Sequence, residues 1–99
     1  RAFLLAQAAR DAAPEDAQIA DTLGWVLYKQ GAYPRAEALL MEAAEKLPDN
    51  GEVAYHLGLA QGEMMKADAA RASLTRALKL APDAPWADAA RTALDALGQ

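Results

Sequence analysis

Apolar and small residues recur along this chain with the spacing of a helical face. Because each residue advances about 100° around an α-helix, residues three and four apart share one stripe of roughly 100° of arc. In the second predicted helix this stripe consists of Ala20, Leu23, Gly24 and Leu27. The pattern and its proline breaks predict an all-α fold of about six helices, over residues 1–13, 16–30, 34–46, 51–64, 68–80 and 85–97.

Prolines mark where the predicted helices begin and end. Pro14, Pro48 and Pro82 close the helices before them, because proline cannot continue a helix and restricts the residue that precedes it. Pro34 and Pro85 suit the first turn of the helices that follow. The helices are therefore expected to be joined by short turns.

The corner between two paired helices differs in sequence along the chain. Gly31 can adopt the left-handed conformation that often ends a helix. The position 34 residues later is Met65, for which this conformation is strained. We expect the corner at Met65 either to be strained or to let the helix run on, and to differ in shape from the corner at Gly31.

The sequence repeats itself with a period of 34 residues. The alignment of residues 17–50 with 51–84 needs no insertion, and the same shift makes residues 1–16 the second half of an earlier repeat. Residues 85–97 become the first helix of a later repeat. The two full repeats share nine identical pairs: Ala20/Ala54, Leu23/Leu57, Gly24/Gly58, Ala36/Ala70, Ala38/Ala72, Leu40/Leu74, Ala43/Ala77, Pro48/Pro82 and Asp49/Asp83.

This period resembles the tetratricopeptide-repeat (TPR) family, whose pattern is W-x2-L-G-x2-Y, then A-x3-F, then an alanine and a proline. Both full repeats carry the leucine–glycine pair, the alanines and the proline; they depart from the pattern in having alanine for tryptophan and leucine or glutamine for tyrosine. The resemblance implies a right-handed superhelical solenoid of antiparallel helix pairs. It would form one domain over residues 1–99, with a half repeat at 1–16, full repeats at 17–50 and 51–84, and a final or capping helix at 85–97.

Within the family, two stretches are similar to bacterial TPR proteins of envelope and exopolysaccharide systems, including exosortase-associated ones. They are the run DTLGWVLYKQG from Asp21 to Gly31 and the ending around Pro85 to Gly98. Because Arg1 stands inside a predicted helix, we expect the chain to be a piece of a longer protein. The localisation, bacterial cytoplasm or periplasm and envelope, stays open.

Composition narrows the classes of function. The chain has 54% hydrophobic residues, with alanine the commonest of them, which suits one domain of closely packed helices. A net charge of −4 gives no reason to attract nucleic acid or an anionic membrane. No apolar run approaches the ~20 residues that span a bilayer. The absence of cysteine removes disulfides and thiolate sites.

The sequence offers little for catalysis or metal binding. Ser73 lies within a predicted helix without a glycine elbow, so we interpret it as a polar surface residue. Glu52 and His56 are four residues apart on one helix, but a zinc site needs three or four protein ligands. We therefore expect His56 on the groove or repeat surface. No enzyme activity, cofactor or metal site is predicted.

The TPR resemblance places partner binding on the concave face, which the first helices of successive repeats line. Counting about 100° per residue places a second stripe of side chains on these first helices, about a quarter turn or more from the core stripe. Its members are Gln18, Asp21, Trp25, Tyr28, Glu52, Tyr55, Leu59 and Trp86. The alternative, that the aromatic residues only pack against a neighbouring helix, stays open.

The chemistry of this stripe suggests the kind of partner. Some TPR domains grip a peptide C-terminus with lysines and asparagines, whereas this chain has Asp21, Trp25, Tyr55 and Leu59 at those places. An amphipathic helix or an apolar extended segment of a protein partner is expected instead. We interpret the chain as a protein-binding scaffold. The alternatives are an accessory array of a larger enzyme, such as a glycosyltransferase, and a self-association module that forms a homo-oligomer through its first helix.

Overall fold

The computed structural model describes residues 1–98, and every regular element in that range is an α-helix. The helices are α1 (Ala2–Ala12), α2 (Ala17–Lys29), α3 (Tyr33–Lys46), α4 (Gly51–Glu63), α5 (Ala67–Leu80) and α6 (Ala87–Leu97). They stack into an elongated body of 40 × 24 × 21 Å. The predicted all-α repeat solenoid is confirmed.

One helix boundary departs from the prediction by more than one residue. Helix α6 begins at Ala87 with Trp86 as its N-cap residue, so Pro85 lies ahead of the helix and not in its first turn. The prediction for Pro85 is therefore wrong. Pro34 does lie in the first turn of α3, as expected.

Side-chain caps fix the start of the first helix in each full repeat. The carboxylate of Asp16 accepts hydrogen bonds from the amides of Gln18 and Ile19, at 2.9 and 3.1 Å. The side chain of Asn50 accepts from the amide of Val53 at 3.1 Å. Caps of this kind stabilise a helix by about 1 kcal/mol each. They hold α2 and α4 in the same register relative to their repeats.

The two helices of each full repeat approach closely at a glycine. A Cβ added to Gly24 would lie 2.8 Å from Cγ of Leu40, and one added to Gly58 would lie 2.7 Å from Cγ of Leu74. Both leucines are almost wholly buried. The absence of a side chain at positions 24 and 58 therefore lets the two helices of each repeat pack directly on these leucines.

Ion pairs tie neighbouring repeats together on the second helices. The guanidinium of Arg10 in α1 donates to both carboxylate oxygens of Glu42 in α3, at 2.7 and 2.8 Å. These hydrogen bonds hold the pKa of Glu42 below its usual value. Lys66 donates to both oxygens of buried Glu37, each at 2.9 Å. Sequence reasoning did not find these pairs, because each joins residues from different repeats.

The corners at Gly31 and Met65 have the same shape. Met65 adopts φ 62°, close to the 83° of Gly31. In both corners the amide of the following residue donates to the carbonyl five residues before it, at 2.9 and 3.0 Å. The expected difference in shape is wrong, because the helix contacts on either side impose one turn on both sequences. The strain of a left-handed conformation remains at Met65.

Replacing Met65 by glycine is expected to raise the free energy of unfolding by about 1 kcal/mol. The side chain of Met65 is 87% exposed, so its removal costs few contacts, while glycine adopts this φ without the ~1–2 kcal/mol penalty. The greater freedom of glycine in the unfolded chain offsets part of the gain. Urea unfolding followed by circular dichroism measures the change. Gly31→Met should destabilise in return, and an unchanged midpoint in both variants would contradict the argument.

Candidate functional site

A row of aromatic side chains runs across the first helices of successive repeats. Trp25 and Tyr28 of α2 stack at 5.1 Å between ring centroids, and Tyr55 of α4 stacks on Trp86 at 4.9 Å. Trp25 and Tyr55 link the two stacks at 6.2 Å. Tyr33 extends the row at 5.6 Å from Tyr28. The structure thus brings together four of the residues predicted for the concave face.

The members of the aromatic row differ in exposure. Trp25, Tyr28 and Trp86 are half-buried, but Tyr55 is only 8% exposed. Burial raises the pKa of the Tyr55 phenol. The pKa of the Tyr28 phenol is raised mainly by burial and secondly by the negative charge of Glu63. The expectation of an exposed Tyr55 is wrong, because α4 is the middle one of the three first helices and has aromatic side chains on both sides.

A buried hydrogen bond between Asp21 and His56 lies beside the row. The two side chains are 8% and 6% exposed, and Nδ1–H of His56 donates to Oδ1 of Asp21 at 2.8 Å. The imidazole also stacks on Trp25 with centroids 4.0 Å apart. Asp21 and His56 were both expected on a surface, and that expectation is wrong. They join α2 to α4 and position Trp25.

The other residues of the predicted stripe are more exposed than Asp21 and Tyr55. Gln18 and Glu52 are exposed, and Leu59 is half-buried. Glu52 comes within 4.0 Å of Nε2 of His56, but the described residues contain no group of three potential metal ligands. Ser73 is a half-buried polar residue that donates to the side-chain oxygen of Gln61 at 2.6 Å, so it ties α5 to α4.

A cavity of about 260 Å³ opens between α4 and α6. We call it the Gly62 cavity; its lining includes Tyr28, Gly58, Leu59, Gly62, Ala93 and Leu97. Two of the predicted concave-face residues, Tyr28 and Leu59, are among these, whereas Trp25, Tyr55 and Trp86 are not. Most of the lining is apolar, and Glu63 is a charged member of it.

The repeat register explains why the Gly62 cavity exists. Gly62 holds the position that Tyr28 holds one period earlier. A Cβ at Gly62 would have no neighbour within 4 Å, so the space beside α4 that a side chain could occupy is open. Sequence reasoning missed this feature, although the pairing of Tyr28 with Gly62 in the aligned repeats was the signal for it.

The charges around this face are mainly negative. Glu52 and Glu63 are exposed on α4, and the Lys29 ammonium lies 5.0 Å from the centroid of the Trp25 ring.

Within residues 1–98, none of the helices has the length and apolar character that crossing a membrane would require.

Comparison with known proteins supports the repeat assignment. No family model matches the chain. A TPR repeat-containing protein of Pseudomonas aeruginosa is 47% identical over 45 residues, which are 46% of this chain and 8% of that protein.

A solved structure, "MamA MSR-1 C2", a TPR-type protein, matches with a TM-score of 0.81 and 27% identity. The match covers 96% of this chain and 53% of that one, so the chain spans only part of either relative. The 34-residue period, the helix pairs and these similarities agree with one another. The chain is a helical-repeat array of the TPR type, and its similarity to TPR proteins supports a role in interaction between proteins.

Proposed function

We propose that the chain binds a segment of a protein partner along the face formed by α2, α4 and α6. The observation that carries the proposal is the Gly62 cavity, which combines an apolar lining with a neighbouring row of half-buried aromatic rings. Partly exposed apolar surface of this kind, shaped as a concave site, is typical of places where proteins bind peptides. An apolar side chain of the partner occupies the cavity in this proposal.

The concave-face residues take two roles in this proposal. Trp25, Tyr28, Leu59 and Trp86 contact the partner with their exposed surfaces, and Gln18 and Glu52 contact its polar groups. Asp21 and Tyr55, which are buried, hold Trp25 and Trp86 in place through the contacts described above. The binding energy therefore comes from a few aromatic and aliphatic contacts.

The electrostatics favour a partner segment with basic residues beside its apolar ones. Glu63 borders the cavity, Glu52 lies in the first turn of α4, and the chain carries a net charge of −4. Complementary charge at the rim of a site speeds association and selects the orientation of the bound segment. An amphipathic helix or an extended segment with this pattern is the proposed ligand.

Gly62→Tyr is expected to weaken binding at least about tenfold, which corresponds to about 1.4 kcal/mol. The new ring fills the cavity, and the loss of a glycine inside α4 does not oppose helix formation. Peptides selected from a displayed library on the unmodified chain, and then titrated against each variant, measure the effect. The matched control is Ala38→Tyr, at an exposed position of α3. Equal affinity of the selected peptides for all three proteins would place the binding surface elsewhere.

The proposed module acts without catalysis of its own, although it is compatible with an accessory array attached to a catalytic domain. Self-association is the competing function, and the exposure of Leu4 (69%) and Leu5 (73%) on α1 favours it. Sedimentation at several concentrations separates the two, because a monomer at every concentration excludes self-association. In the same experiment, Leu5→Lys tests whether the exposed face of α1 mediates self-association.

A further inference from the structure

We infer that the side chain which the partner inserts into the Gly62 cavity is aromatic. This inference rests on the proposed function and specifies the chemistry of its ligand. It follows from a comparison of the residues at equivalent positions of the successive repeats.

In the first full repeat, an aromatic ring reaches from one first helix towards the next. Tyr28 of α2 borders the Gly62 cavity together with Leu59, Gly62 and Glu63 of α4. The residues one period later than these three are Ala93, Ala96 and Leu97 of α6, and all of them border the same cavity. The three positions that border the cavity beside Tyr28 on α4 thus have their counterparts on α6, with different residues.

The ring itself does not recur. A side chain at position 62 would reach from α4 towards α6 as Tyr28 reaches from α2 towards α4, but glycine has no side chain to do so. The cavity accordingly lies where a side chain at position 62 would project. A partner that supplies a ring there restores the arrangement of the first repeat.

The size and walls of the cavity agree with this occupant. Its volume of about 260 Å³ lies below the ~300–1,000 Å³ of sites for drug-sized ligands, so it suits one large side chain. Tyr28 in the wall offers a ring for offset or edge-to-face packing, which an aliphatic side chain cannot match. Glu63, a lining residue, can accept a hydrogen bond from a phenol or an indole N–H.

The first experiment titrates the chain with two small probes, N-acetyl-tyrosinamide and N-acetyl-leucinamide, while the backbone amide signals of Gly58 and Gly62 are followed by NMR. The expected result is a dissociation constant of about 1 mM for the tyrosine probe and at least about fivefold weaker binding of the leucine probe. The shifts should vanish in Gly62→Tyr and persist in Ala38→Tyr. Equal or tighter binding of the leucine probe overturns the inference.

The displayed peptides provide the second measurement and separate the two proposals. An aromatic residue at a fixed position, whose replacement by leucine weakens binding about tenfold, supports the inference. Peptides that lose affinity for Gly62→Tyr but carry an aliphatic anchor overturn the inference and leave the proposed function standing. Peptides that bind Gly62→Tyr as tightly as the unmodified chain overturn both.

Discussion

Tyr55→Ala is expected to lower the free energy of unfolding by about 3–5 kcal/mol, as for other large buried aromatic side chains. Tyr55 is 8% exposed and stacks on Trp86 at 4.9 Å, while Trp25 lies 6.2 Å away on its other side. Truncation leaves a void between three helices that small alanines cannot fill. Because small domains have only ~5–15 kcal/mol of stability, this variant should unfold at a much lower urea concentration.

Tyr55→Phe is the matched control, because it keeps the ring and both ring contacts. It should unfold within about 1 kcal/mol of the unmodified chain, as surface or near-isosteric changes do. Urea titrations monitored by circular dichroism compare the three proteins. A loss below about 1 kcal/mol in Tyr55→Ala would mean that the aromatic row carries little of the stability.

The burial of Tyr55 limits which variants can test the binding surface. A variant that combines Trp25→Ala with Tyr55→Ala would be the direct test if both side chains only lined an open face. Since Tyr55 is buried, the double variant would lose stability together with any affinity. Gly62→Tyr separates the two properties, because it adds a ring to open space and removes no contact.

The fold could be predicted because its determinants recur at a fixed period. The leucine–glycine pairs, the alanines and the closing prolines each appear twice in register, and a helical wheel converts them into the buried stripe around Leu23 and Leu57. All these signals are local or repeat regularly, so no knowledge of long-range contacts was needed.

The candidate site was harder to predict because helical counting gives a direction and not a depth. It placed Asp21 on the same side of α2 as Trp25 but could not show that His56, 35 residues away, covers it. The same counting could not reveal that Tyr55 is enclosed between two further aromatic side chains. The Gly62 cavity depends on a side chain that is absent, and only the comparison of Tyr28 with Gly62 across the repeats reveals it.

Gly24→Leu is expected to lower the free energy of unfolding by about 3 kcal/mol, the upper end of the usual cost of overpacking. Its Cβ alone would lie 2.8 Å from Cγ and 2.9 Å from Cδ2 of Leu40, and 3.4 Å from the carbonyl oxygen of Ala36. Leu40 has no exposed surface, so its side chain has little room to move aside. The helix propensity gained on replacing glycine, about 1 kcal/mol, does not offset this clash.

The matched control for this clash is Gly62→Leu, the same substitution inside the first helix of the other full repeat. A Cβ at Gly62 has no neighbour within 4 Å, so this variant should be as stable as the unmodified chain or up to about 1 kcal/mol more stable. Urea midpoints of the two variants, measured side by side, isolate the effect of the helix contact from that of losing a glycine. If both variants unfold at the same midpoint, the contact between α2 and α3 at Gly24 is looser than the 2.8 Å approach to Leu40 requires.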